Sequence, residues 1–130
     1  MKRIFLAAIL AAGIAQADEG AIQNVIDQQI GAFLNDDFAE AFTFAAPSIQ
    51  GMFGTPERFG LMVRQGYPMV WRPGSVEYLG TDRIGGRWLQ EVLVTDGDGR
   101  LHLLEYSMIE TAEGWKIAGV RILDTPEIGA

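Results

Sequence analysis

The chain is predicted to fold as an α+β domain, three N-terminal helices packed on a curved four-stranded antiparallel sheet, because its hydrophobic period changes once along its length. Up to Gly66 the apolar residues recur every three or four positions; after Gly74 they alternate. Three glycine-rich breaks, Gly85-Gly86, Asp96-Gly97-Asp98-Gly99 and Glu113-Gly114, divide the alternating part into four strands. Helices first and hairpins afterwards place the two kinds of element in separate layers.

Residues 1–17 are expected to be an export leader and not part of that domain. Lys2 and Arg3 supply a positive start, residues 4–14 an apolar stretch with no polar face, and Ala15-Gln16-Ala17 a small-x-small cleavage site. The stretch is shorter than the ~20 residues a membrane-spanning helix needs. Cleavage after Ala17 leaves 113 of the 130 residues, enough for one domain at 18–130, released into the periplasm or secreted, with no membrane attachment.

The first helix is read over residues 21–34, with Ile22, Val25, Ile26, Ile30, Phe33 and Leu34 on one face. Asn35-Asp36-Asp37 ends it and starts a second, in which Asp37 caps and Glu40 stands three residues on. A third begins at Thr55-Pro56-Glu57, turns Phe59, Met62 and Val63 inward, and ends at Gly66. Residues 67–74 carry Pro68 and Pro73 and are expected to be an ordered, non-helical loop holding Tyr67 and Trp71. Strands follow at 76–84, 87–95, 100–110 and 115–123.

The restart at Asn35-Asp36-Asp37-Phe38-Ala39-Glu40-Ala41-Phe42 and the closing Gly114-Trp115-Lys116-Ile117 resemble the nuclear transport factor 2-like superfamily, which includes ketosteroid isomerase-like and SnoaL-like proteins. Met52-Phe53-Gly54-Thr55-Pro56-Glu57 with Gly66-Tyr67-Pro68 resembles an exported bacterial family of unassigned function within it. The resemblance spans about residues 21–123. It implies the cone-shaped fold but no chemistry, because that fold hosts enzymes, binding modules and scaffolds alike.

Composition narrows the functions. Losing Lys2 and Arg3 leaves eight basic residues against 17 acidic, taking the formal net charge from −7 to −9. That surface repels nucleic acid and anionic lipid, so neither is an expected partner. The absence of cysteine removes disulfides, thiol catalysis and thiolate-held metals, and a single histidine, His102, argues against zinc. No phosphate-loop or dinucleotide motif occurs, and no cofactor or metal is expected. Asp96-Gly97-Asp98-Gly99 lacks the remaining ligands of a calcium loop and reads as a hairpin turn.

A two-residue turn at Gly97-Asp98 would pair Trp88 with Ser107 and Gln90 with Glu105, setting Trp88, Gln90, Val92, Val94, Leu101, Leu103, Glu105, Ser107 and Ile109 beneath the helices. Glu105 is then the catalytic candidate, since burial raises a carboxyl pKa toward the range useful for acid–base work. Tyr67, Trp71, Trp88, Gln90 and Glu105 would line a ligand pocket. The alternative role for Glu105 is an ion pair with an arginine such as Arg64 or Arg72. His102, without an obvious partner, reads as exposed or hydrogen-bonded.

The opposite face would carry Leu89, Leu93, Leu104, Tyr106 and Met108, joined by Ile117 and Leu123, too apolar to stay wet. In the resembled fold a second copy usually covers it, implying a homodimer; the tail 124–130 is the other candidate cover. Three functions stay open: binding of a small apolar or amphipathic molecule in the cone, an enzyme using Glu105, and a dimeric interaction module.

Overall fold

A computed structural model describes the backbone of residues 2–123 and the side chains of residues 17–123. The side chains of residues 1–16 of the expected leader and the tail 124–130 lie outside the described residues. The chain runs α1 (Lys2–Leu34), α2 (Phe38–Thr43), α3 (Pro47–Phe53), α4 (Pro56–Gly66), α5 (Pro68–Trp71), β1 (Pro73–Ile84), β2 (Arg87–Asp96), β3 (Leu101–Thr111) and β4 (Gly114–Leu123). The four strands form one curved antiparallel meander in the order β1-β2-β3-β4, and the helices pack on its inner face. No described helix is long and apolar enough to cross a membrane.

Local signals place the helix starts. Asp37 accepts the Glu40 N–H at 3.1 Å and Thr55 accepts the Arg58 N–H at 3.2 Å, each satisfying a donor the first turn cannot pair. Ile22, Ile26, Ile30 and Phe33 of α1 are buried, whereas Leu34 at its end is exposed.

Two helices exceed the expected three. The Ala46-Pro47 step opens α3, with proline in the first turn. The segment expected to be a loop contains α5: Pro68 begins it, where the missing N–H has no role. The N–H groups of Val70 and Trp71 return to the Tyr67 carbonyl and that of Arg72 to Pro68 before Pro73 ends the turn. Two prolines five positions apart thus leave room for a single turn that buries Met69 and Val70.

The β2–β3 register also differs from the expected one, by a single residue. Trp88 faces Met108, Gln90 faces Tyr106 and Val92 faces Leu104. The loop holds three residues, Gly97, Asp98 and Gly99. Gly99 takes the left-handed conformation (φ 84°), while Asp96 N–H bonds the Arg100 carbonyl at 2.9 Å. Because side chains alternate, one residue reverses all of β3 while β2 stays as expected. Leu104, Tyr106 and Met108 therefore join Trp88, Gln90, Val92 and Val94 in the core, with Ile117 from β4. Leu101, Leu103, Glu105, Ser107 and Ile109 turn to the outer face.

Candidate functional site

A cavity of about 360 Å³ lies between α1, α3, α4, α5 and the last strand. Gln29 and Phe33 come from α1, Ile49, Met52 and Phe53 from α3, Phe59, Met62 and Val63 from α4, and Val70 from α5. Tyr67, the residue joining α4 to α5, and Ala45 complete the helical side; Ile117, Gly119 and Val120 of β4 form the floor. Phe59 anchors the wall, with Phe33, Phe42 and Phe53 ring centroids 6.0, 5.4 and 5.9 Å away in tilted or edge-on contacts. Met52, 71% exposed, stands at the rim.

The segment between α2 and α3 closes one side by pairing with β4. Ala46 N–H bonds the Ile117 carbonyl at 2.8 Å, and Ile117 N–H bonds the Phe44 carbonyl at 2.9 Å. Farther along the same edge, the Tyr67 hydroxyl donates to the Val120 carbonyl at 3.0 Å. The strand edge is thereby occupied where it borders the cavity. Gln29, 3% exposed, donates from Nε2 to the Ala41 carbonyl at 3.1 Å, tying α1 to α2.

Of the five expected pocket residues, Tyr67 alone lines this cavity. Trp71 is a brace: its Nε1 donates to Asp36 at 2.9 Å and the Arg72 guanidinium lies 4.2 Å from its ring centroid. Arg72 also donates to the Phe33 carbonyl at 2.7 Å and to Asp36 at 2.8 Å. The Trp71 and Arg72 bonds hold the Asp36 carboxyl below its ordinary pKa, Trp71 contributing most. Trp88 packs edge-on against Trp115, centroids 6.1 Å apart, beneath the Arg83 guanidinium.

Gln90 is fully buried but serves the backbone. Its Nε2 donates to the carbonyls of Leu79 and Glu91 at 3.1 and 2.9 Å, and its Oε1 accepts from Gln23 at 3.2 Å. The register of β1 shifts between Tyr78 and Thr81, and Gln90 satisfies a carbonyl freed there. Beside it Tyr78 donates to Asp27; burial first and that carboxylate second raise the phenol pKa.

Glu105 does not lie beneath the helices. The register puts it on the outer face, beside Glu91 on β2 and Arg121 on β4, and Arg121 Nη2 reaches its carboxylate at 2.9 Å. An arginine partner was the alternative expectation, but the strand pairing selects Arg121, not Arg64 or Arg72. Arg64 lies over Phe38 instead. His102 gains the partner the sequence did not suggest: its Nε2 stands 2.8 Å from Asp96 Oδ2. No group of three His, Cys, Asp or Glu side chains suited to a metal occurs among the described residues.

The cavity residues missed by sequence reasoning are mostly ordinary core types, which spacing cannot separate from filled core. Gln29 did leave a signal: it falls on the stripe of Ile22, Ile26, Ile30 and Phe33, where an apolar residue would be the default. The membership of the outer apolar face also changes. Leu104, Tyr106, Met108 and Ile117 are core, and Leu93, Leu103 and Leu123 form a cross-strand row on the outside.

Residues 15–130 match the family model described as a domain of unknown function, DUF4864, and the chain belongs to that family. Comparison with curated proteins and with solved structures found no match.

Proposed function

We propose that this domain is a noncatalytic binder of a small apolar or amphipathic molecule, held in the cavity between the helices and β4. One observation carries the reading: about 360 Å³ of space walled by phenylalanine, methionine and aliphatic side chains, with Gln29 and Tyr67 the only polar side chains lining it among the described residues. Space of that size falls within the range of small-ligand pockets. The helices-then-meander order supports placing the chain in the nuclear transport factor 2-like superfamily. The basic start, short apolar run and Ala15-Gln16-Ala17 support export through a cleavable leader.

Binding is tested with Nile red, a neutral apolar dye whose fluorescence rises out of water. Met62→Trp at the rim fills space and should weaken dye binding at least about tenfold while circular dichroism stays native. Equal dye fluorescence from the two proteins would end the proposal.

A second reading is favoured by the outer face. Leu103 pairs with Leu93 on one side and Leu123 on the other, and the next row on the same face carries both signs of charge, Glu91 and Glu105 with Arg121. Such a face complements a copy of itself rotated by a two-fold axis. A homodimer through this sheet is the corresponding proposal. Light scattering at micromolar concentration should give twice the chain mass, and Leu103→Glu should return it to one; a monomeric wild type refutes it.

A further inference from the structure

Resting on the reading of the cavity as a ligand pocket, we infer that its ligand is a neutral apolar molecule with one hydroxyl head, an alcohol whose O–H is accepted by Gln29. Charge comes first. Among the described residues no charged side chain lines the cavity, so a carboxylate or phosphate entering it would give up hydration with no cation there to replace it. The neighbouring arginines are engaged elsewhere, Arg64 over the Phe38 ring and Arg72 on Phe33 and Asp36. The formal charge of −7 adds long-range repulsion of anions.

Hydrogen bonding then selects among neutral heads. The Tyr67 hydroxyl proton is given to Val120 and one of the two Gln29 Nε2 protons to Ala41. What the two side chains still offer is Gln29 Oε1, to which no described group donates, the Tyr67 oxygen lone pairs, and the second Gln29 Nε2 proton. A head that donates satisfies the oxygens and one that accepts satisfies the N–H, and a hydroxyl does both where an ether can only accept. Gln29 stands on the buried stripe of α1 where an apolar residue would be the default, and its amide oxygen has no donor among the described residues. An O–H from the ligand satisfies it. The apolar walls take the rest of the molecule, and Met52 and Met62, unbranched and adaptable, accommodate its chain.

The test is calorimetric titration of the full chain near pH 7.5 with three ligands of equal chain length: 1-decanol, decyl methyl ether, which accepts but cannot donate, and decanoate, which is charged. Decanol should bind about fivefold tighter than the ether and at least about tenfold tighter than decanoate. Gln29→Leu should erase the alcohol-over-ether preference while both still bind. If that variant does not fold, the order of the three ligands on the wild type decides. An ether as tight as the alcohol, or decanoate as tight as either, overturns the inference while leaving a ligand pocket in place. Should none of the three bind or displace Nile red from folded protein, the pocket reading falls and takes this one with it.

Discussion

Asp96 and His102 are joined at 2.8 Å, Oδ2 to Nε2, so that the end of β2 and the start of β3 are held side chain to side chain. The other carboxylate oxygen, Oδ1, accepts the N–H groups of Asp98 and Arg100, each at 2.9 Å. One carboxylate therefore organises the three-residue turn that sets the register of half the sheet. These bonds, the one with His102 first and the Arg100 N–H second, hold the Asp96 carboxyl below its ordinary pKa.

A carboxyl with a lowered folded-state pKa contributes stability that is present above its unfolded value, about 3.9, and is lost as pH falls through the folded one. Asp96→Asn should therefore be less stable than wild type at pH 6, with the difference shrinking below about pH 4. Urea denaturation at pH 6 and pH 3 measures both gaps. A gap that is constant or wider in acid would contradict the role given to the charged form.

Gly99 has φ 84° with open space where a Cβ would stand, so any cost of substitution is conformational rather than steric. Gly99→Ala should lose about 1 kcal/mol. Deleting Asp98 is a harsher experiment: it shortens the loop to two residues and drives β3 toward the slipped register, which would expose Leu104, Tyr106 and Met108. Loss of a cooperative thermal transition is expected, and a deletion variant melting like wild type would refute the account of the turn.

Tyr106 is fully buried and its hydroxyl has no hydrogen-bond partner among the described residues. Burial, and to a lesser degree the nearby Tyr67, raises its pKa, so it stays protonated throughout the neutral range. Tyr106→Phe removes a polar atom that gains nothing from the fold, and stability in urea should be unchanged or higher by up to about 1 kcal/mol. A loss exceeding about 1 kcal/mol would mean that the hydroxyl is bonded in solution.

The Glu105 carboxylate is partnered by an arginine side chain that is 69% exposed, and pairs of that kind contribute between about zero and 1 kcal/mol. Glu105→Gln should stay within that range in denaturation and leave Nile red binding unchanged, because the sheet lies between Glu105 and the cavity. Altered dye affinity at unchanged stability would reopen the question of which face Glu105 serves.

Much of the architecture was legible from local rules. The stripe of Ile22, Ile26, Ile30 and Phe33 marked the first helix, Asp37 and Thr55 marked two helix starts, and the glycine pairs marked the hairpins. The short helices were missed for different reasons. Gly51 weakens the pattern of α3, and Pro68 was read as a breaker although the first turn of a helix tolerates proline.

The candidate site was far less legible, and one degree of freedom explains most of the difference. Sequence alone determined that residues 100–110 alternate between an apolar and a mixed set, because alternation is a property of the strand. Which set faces the helices was decided by the conformation of Gly99 and the bonds of Asp96, since one residue of slip reverses the strand. Glu105 left the interior and Tyr106 entered it on that account. The cavity is more remote still from the sequence. Phe33, Val63, Tyr67 and Val120 read individually as filling, and space remains among them because α3, α4 and β4 meet where no side chain reaches across, a property of the packed elements together.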